Sequence, residues 1–210
     1  MWDKEVLIYD FDGVICDSVE IKTAAFKELY KNYDYKIQSQ VMDYHIRNSG
    51  ISRFEKFRYY QTVLLKKELD EKEIKNLARK FKLLVKEKVI NASYIVGARE
   101  FIEMNSFKKQ FVCTGTPETE IIEIIKEKKL INFFENVYGS PKSKMEIINI
   151  IIRKTNIKKN KCVFFGDAIT DYNAALRCKI PFIGIRNSHT TFPKGTVTID
   201  NFKDLFNKIK

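Results

Sequence analysis

The chain has 210 residues, 44% of them hydrophobic, and its 38 Lys and Arg outnumber its 27 Asp and Glu for a net charge of +11. That apolar content excludes a disordered polypeptide, no apolar run approaches the roughly 20 residues a bilayer span needs, and the length suits one domain or a core carrying an insertion. The charge alone would suit nucleic acid, but the lysines are scattered through amphipathic stretches such as 71–90, which favours a solvated basic surface able to attract a small anion.

The opening MWDKEVLIYDFD has an acid at Asp3 and lacks the features of a secretory leader, so a cytoplasmic protein is expected. Residues 5–11 read as a buried strand that stops at Asp10 and Asp12 and turns through Gly13. Residues 19–30 have helical spacing, 31–40 are a polar stretch, and Phe54, Phe57, Leu64 and Leu65 mark a second amphipathic helix. Asp70 and Glu73 resemble a capping box before a helix carrying Ile74, Leu77, Phe81, Leu84 and Val85.

After Gly97 the pattern changes to strand–helix alternation. A short helix over 98–104 precedes a strand over 110–113 that ends at Thr114, and Thr116-Pro117 reads as an N-cap and first helical residue. A strand at 136–138 precedes a helix capped by Ser143 and Glu146. A strand at 162–165 ends at Gly166-Asp167, a helix runs to 177, and strands at 181–185 and 197–199 lead to a closing helix over 202–210. The expected fold is therefore α/β, a Rossmann-like doubly wound parallel sheet, with 1–15 and 96–210 as the core and 16–95 as an all-helical insertion after strand one.

Such sheets place their sites at the carboxyl ends of the strands. Asp10, Asp12, Thr114 and Asp167 fall there, with Asp171 four residues on. Carboxylates crowded at adjacent strand ends repel, and a hard divalent cation resolves the repulsion; an all-oxygen set suits magnesium. A carboxylate can then attack phosphorus, a second acid two residues on can move protons, and a hydroxyl and an ammonium can hold phosphoryl oxygens. Cys16, Cys113, Cys162 and Cys178 form no CxxC pair, so reduced and mostly buried thiols are expected, with Cys16 a minor nucleophile candidate.

Four segments in order, Asp10-Phe11-Asp12-Gly13, Thr114 ending FVCT, a lysine before a helix, and GDAITD at 166–171, resemble the haloacid dehalogenase-like (HAD) hydrolases, which are mostly phosphatases. The helical insertion resembles the caps of phosphoglycolate-phosphatase-like and phosphoglucomutase-like members. The resemblance implies Asp10 as nucleophile and Mg2+ ligand, and Asp12 as acid/base with its carbonyl on the metal. It implies Thr114 as phosphoryl ligand, with Gly13 and Gly115 beside the substrate, Asp167 as metal ligand, and Asp171 supporting the metal or the lysine. That lysine is Lys144 or Lys142. Lys144 sits in a first helical turn where a cation opposes the dipole, which singles it out, and its K-x-E spacing resembles some members, while Lys142 fits a K-P-x-P pattern of others. The segment HIRNSGISRFEKF at 45–57 is the expected specificity loop, with Arg47, Arg53 and Lys56 facing a carboxylate or second anion, and His45 an ordinary partly buried histidine.

The implied function is a Mg2+-dependent phosphatase for a small phosphorylated metabolite. A phosphosugar mutase of the same superfamily, an inactive binding protein and an end-processing enzyme for nucleic acid are the alternatives, the last resting on charge alone. A dehalogenase fits less well, because that group lacks the acid that Asp12 supplies.

Overall fold

The computed structural model describes residues 3–206. Six parallel strands, β1 (Val6–Tyr9), β2 (Lys109–Pro117), β3 (Asn136–Ser140), β4 (Cys162–Gly166), β5 (Phe182–Ile185) and β6 (Thr198–Ile199), form one sheet in the order β3-β2-β1-β4-β5-β6. Tyr9 pairs with Val112 on one side and Phe165 on the other, so Asp10 lies between the ends of β2 and β4. Strand β1 is buried throughout because helices cover both faces of the sheet.

Alternation along β1 divides the core in two. Leu7 and Tyr9 face a cluster with Phe101 of α5 (Ala98–Met104), Ile121 of α6 (Glu118–Glu127) and Leu205 of α9 (Lys203–Phe206). Val6 and Ile8 face Ile147 and Ile151 of α7 (Lys144–Thr155) and Ala175 of α8 (Ile169–Cys178). The expected closing helix shows only Lys203–Phe206; 207–210 lie outside the described residues.

Between β1 and α5 the chain is helical: α1 (Val19–Tyr30), α2 (Tyr35–Arg47), α3 (Arg53–Tyr59), a π-helical turn (Tyr60–Leu64) and α4 (Glu71–Asn91). Their shared face is aromatic, with Phe26, Phe57, Tyr60 and Phe81 in ring contact. The chain leaves for these helices and returns along paired segments: Asp17 N donates to Ser93 O at 2.9 Å and Ile95 N to Ile15 O at 3.0 Å. No helix among the described residues is long and apolar enough to cross a membrane.

Three local expectations are corrected. The polar stretch 31–40 hides the start of α2, which Asp34 caps by accepting from Ile37 N; Ile37, Val41 and His45 give it an inward face that polar neighbours obscure. Glu73 closes no capping box and instead accepts from Gln61 Nε2, while Asp70 caps α4 alone. Thr116 is not a helix cap: β2 runs on through Pro117, and the Thr116 hydroxyl turns toward the sheet's carboxyl edge.

Candidate active site

Strand β1 delivers Asp10 to the carboxyl edge, buried at 3% exposure. Its Oδ1 accepts from Phe11 N at 2.6 Å and its Oδ2 from Lys144 Nζ at 2.7 Å. Asp167 follows β4 and is likewise buried, and Asn187 Nδ2 donates to its carbonyl at 2.8 Å. Asp171, in the first turn of α8, accepts from Ala168 N at 3.1 Å with one oxygen and from Lys144 Nζ with the other. Gly13 makes the close approach of these segments feasible: it sits at φ +74, and a Cβ there would lie 2.2 Å from Asp167 Oδ2.

The structure distinguishes the two lysines. Lys144 is the first residue of α7, buried behind the Ser143–Glu146 capping box, and its Nζ contacts both Asp10 and Asp171. Lys142 turns away to Glu118 at 3.1 Å with its side chain 40% exposed. Burial disfavours the Lys144 ammonium, but the Asp10 and Asp171 carboxylates outweigh it and raise its pKa. Burial, then the nearby Asp171 and Asp12 charges, push Asp10 up to about 7 despite Lys144. Asp167 is pushed well above the carboxylate range by burial and then by Asp10 and Asp171. Oxygens of Asp10, Asp167 and Asp171 lie within 4.8 Å of one another. A hard divalent cation fits this donor set, because it would relieve the repulsion that raises Asp10 and Asp167.

Asp12 lives in the opposite environment. Ser18 Oγ donates to its Oδ1 at 2.6 Å, and Thr116 Oγ1 donates to Oδ2 at 3.3 Å. Lys22 Nζ pairs with the same oxygen and donates to Thr116 Oγ1 at 2.6 Å. Burial raises the Asp12 pKa, but Lys22 overrides it and holds the group below the ordinary carboxylate value. Sequence reasoning missed Ser18, Lys22 and Thr116. A signal existed for Lys22, which shares an inward stripe of α1 with Val19 and Phe26, where a lysine is out of place.

Asp10, Asp12, Lys22 and Asp167 line one cavity at the sheet's carboxyl edge; Thr114, buried beside them, lines it too and accepts from Thr116 N at 3.3 Å. Gly115 also lines it; a Cβ there would lie 2.5 Å from Gly50 O, so the chain at 50 closes directly on the sheet edge. Thr170 Oγ1 donates to Ser49 O at 2.5 Å and ties the same loop to α8. Gly13 does not line the cavity and serves the turn behind it.

The segment 45–57 is less of a loop than expected, since α2 reaches Arg47 and α3 begins at Arg53. Arg47 is exposed and does not reach the cavity: with His45 turned inward on α2, a residue two positions on faces outward. Arg53 does line the cavity, but its guanidinium is held by Glu120 in two hydrogen bonds of 3.0 and 2.6 Å, 4.5 Å above the Phe81 ring. Glu120 is a further residue the sequence did not reveal. Lys56 is buried against His45, its Nζ 2.8 Å from Nδ1 and 3.2 Å from the carbonyl. His45 Nε2 lies 3.1 Å from Thr23 Oγ1. Burial, then the Lys56 charge, lower His45 to about 2, so its imidazole is neutral.

All four cysteines are free and buried, as expected. Cys16 is no nucleophile: its thiol points to the carbonyls of Val89 and Ala92, and burial pushes it up to about 11.

A family model described as haloacid dehalogenase-like hydrolase matches residues 7–185. A "phosphorylated carbohydrates phosphatase" of Thermotoga maritima is 23% identical over 216 residues, covering 98% of each chain. Among solved structures, CbbY from Rhodobacter sphaeroides in complex with phosphate superposes with a TM-score of 0.76 at 14% identity over 96% of each chain. A structure described as a "predicted phosphoglycolate phosphatase" from Haemophilus somnus gives 0.75 at 17% identity over 99% of each. At such identities the structural likeness establishes the fold.

Proposed function

This chain belongs to the haloacid dehalogenase-like hydrolase family, and on that premise we propose that it is a magnesium-dependent phosphatase of a small phosphorylated metabolite, working through an aspartyl-phosphate. The observation that carries the reading is the opposed setting of two aspartates two residues apart: Asp10 beside Lys144, Asp167 and Asp171, and Asp12 beside Lys22 and Ser18. Settings this different give two carboxyl groups different work. Without cation or phosphoryl group Asp10 is the raised member and Asp12 the lowered one, an order that a bound cation beside Asp10 and a dianion beside Asp12 would invert.

Asp10, Asp167 and Asp171 would hold the metal, with the Asp12 carbonyl completing the protein ligands. Magnesium bound there would neutralise the carboxylates and the incoming phosphoryl oxygens. Asp10 attacks phosphorus and the bond to the leaving oxygen breaks. Lys144 and Thr114 hold the phosphoryl oxygens, whose charge the buried ammonium balances. Asp12 gives a proton to the leaving oxygen, then takes one from the water that hydrolyses the acyl-phosphate. A phosphoryl dianion arriving beside Asp12 opposes Lys22 and raises Asp12 toward the acid form that the first step needs. The helical block 16–95 acts as the cap: its loop at Gly50 closes on Gly115 and excludes water.

The test is phosphate release from a panel of phosphorylated metabolites, with and without magnesium, for wild type and Asp10→Asn. Magnesium-dependent release that Asp10→Asn abolishes is the expected result. Conversion between phosphosugar isomers without release would replace the phosphatase by a mutase.

A further inference from the structure

Four basic side chains reach the cavity or the carboxylates that line it. Three have carboxylate partners: Lys22 pairs with Asp12, Arg53 with Glu120, and Lys144 with Asp10 and Asp171. Lys56 has none among the described residues. It is 3% exposed and lines the cavity, and its hydrogen bonds go only to the ring and carbonyl of His45. The Phe26 ring, 5.4 Å from Nζ, adds its face but no charge.

A buried ammonium without a counter-ion is costly to maintain, and a hydrophobic residue of similar length would fill the space more stably. The surroundings nonetheless prepare it for an anion. His45 is neutral and cannot act as one; its Nδ1 accepts from Lys56, which places its proton on Nε2 toward Thr23 Oγ1. That fixed imidazole aims an ammonium that still has one of its three donors to spare.

We infer that the missing counter-ion arrives with the substrate: Lys56 receives a carboxylate at the end of the molecule remote from its phosphoryl group, making phosphorylated carboxylic acids the preferred substrates. One ammonium balances a carboxylate. A second phosphoryl dianion would need more positive charge, and Glu120 already neutralises Arg53, the nearest guanidinium on the same helix. This inference rests on the phosphatase reading above and adds the substrate class to it.

The experiment compares ω-phosphooxy carboxylic acids of two, three and four carbons with alkyl phosphates of the same lengths and with 1,3-propanediol bisphosphate, in magnesium. For one chain length the acid should exceed the alkyl phosphate in kcat/KM by about 10- to 100-fold, the range of a buried charge-assisted hydrogen bond. Lys56→Met should collapse that ratio to within about threefold by slowing the acid alone, and Lys56→Arg should keep part of it. Equal rates for acid and alkyl phosphate in the wild type, or an equal loss on both in Lys56→Met, would overturn the inference while leaving the phosphatase intact. Preference for the bisphosphate would overturn the carboxylate assignment. Should nothing release phosphate, calorimetric binding of the same pairs to Asp10→Asn decides. A preference for the acid that Lys56→Met removes would then overturn only the phosphatase reading, and no preference would overturn this one.

Discussion

The Lys144 ammonium lies 2.7 Å from Asp10 Oδ2 across 134 residues of chain, and its other carboxylate contact is Asp171. One buried cation thus serves two buried carboxylates, and the family's metal would share that work. Lys144→Met should leave both acids uncompensated and destabilise the fold by about 3–5 kcal/mol. Magnesium should recover part of the loss, because bound cation stabilises by mass action. Urea unfolding of wild type and variant, each with and without magnesium, checks this; a variant no less stable than wild type would contradict it.

Lys22 reaches from α1 to Asp12 and Thr116, so the helical block contributes directly to the proposed acid/base. Lys22→Met removes the charge that holds Asp12 low, so the Asp12 pKa should rise. Asp12 must carry a proton in the first step, so the alkaline limb of the pH–rate profile should then move to higher pH, and kcat should fall by about 10- to 100-fold, no more than the full contribution of a proton-transfer group. A purely structural role would lower stability without moving that limb.

The Arg53–Glu120 pair is buried on both sides, with side chains 4% and 3% exposed, and it joins α3 to α6. Breaking it from one side strands a charge, so Glu120→Gln should cost about 3–5 kcal/mol. Removing both charges in Arg53→Met/Glu120→Gln should cost less than either single change. A double-mutant cycle by chemical denaturation measures the coupling.

The frame of this architecture was legible in the sequence because its signals are local. Apolar runs, the Ser143–Glu146 box and the aspartates that end two strands need no knowledge of distant neighbours. What stayed hidden depends on tertiary approach. Asp34 and the inward stripe of α2 sat inside a polar composition. Thr116 looked like a helix cap because Pro117 follows it, yet its hydroxyl is used by Asp12 and Lys22. Arg47, Arg53 and Lys56 look alike in one basic segment. Only the fold shows that the first is exposed, the second neutralised by Glu120, and the third left with a neutral histidine.

That third residue sets a pH dependence. Burial, then repulsion by Lys22 and Lys144, lower Lys56 to about 7 from 10.5, against smaller opposing effects of Asp12 and Glu55; His45, its contact, is neutral. Between those two values the unfolded chain holds a proton that the folded protein has released, so stability rises with pH across this window. Below pH 7 both states are protonated and the cost of burying the ammonium is fully present. Lys56→Met removes the linkage, so the stability gap by which the variant exceeds wild type should be largest near pH 6 and shrink toward pH 10. Catalysis should run the other way: kcat/KM for a phosphorylated acid should fall as pH rises through 7 and free Lys56 loses its charge, while an alkyl phosphate shows no such fall from this group. Parallel pH profiles for the two substrates in wild type and Lys56→Met separate this titration from that of the other ionising groups. Profiles that fall together in the wild type, and stay unchanged in the variant, would remove Lys56 from the account.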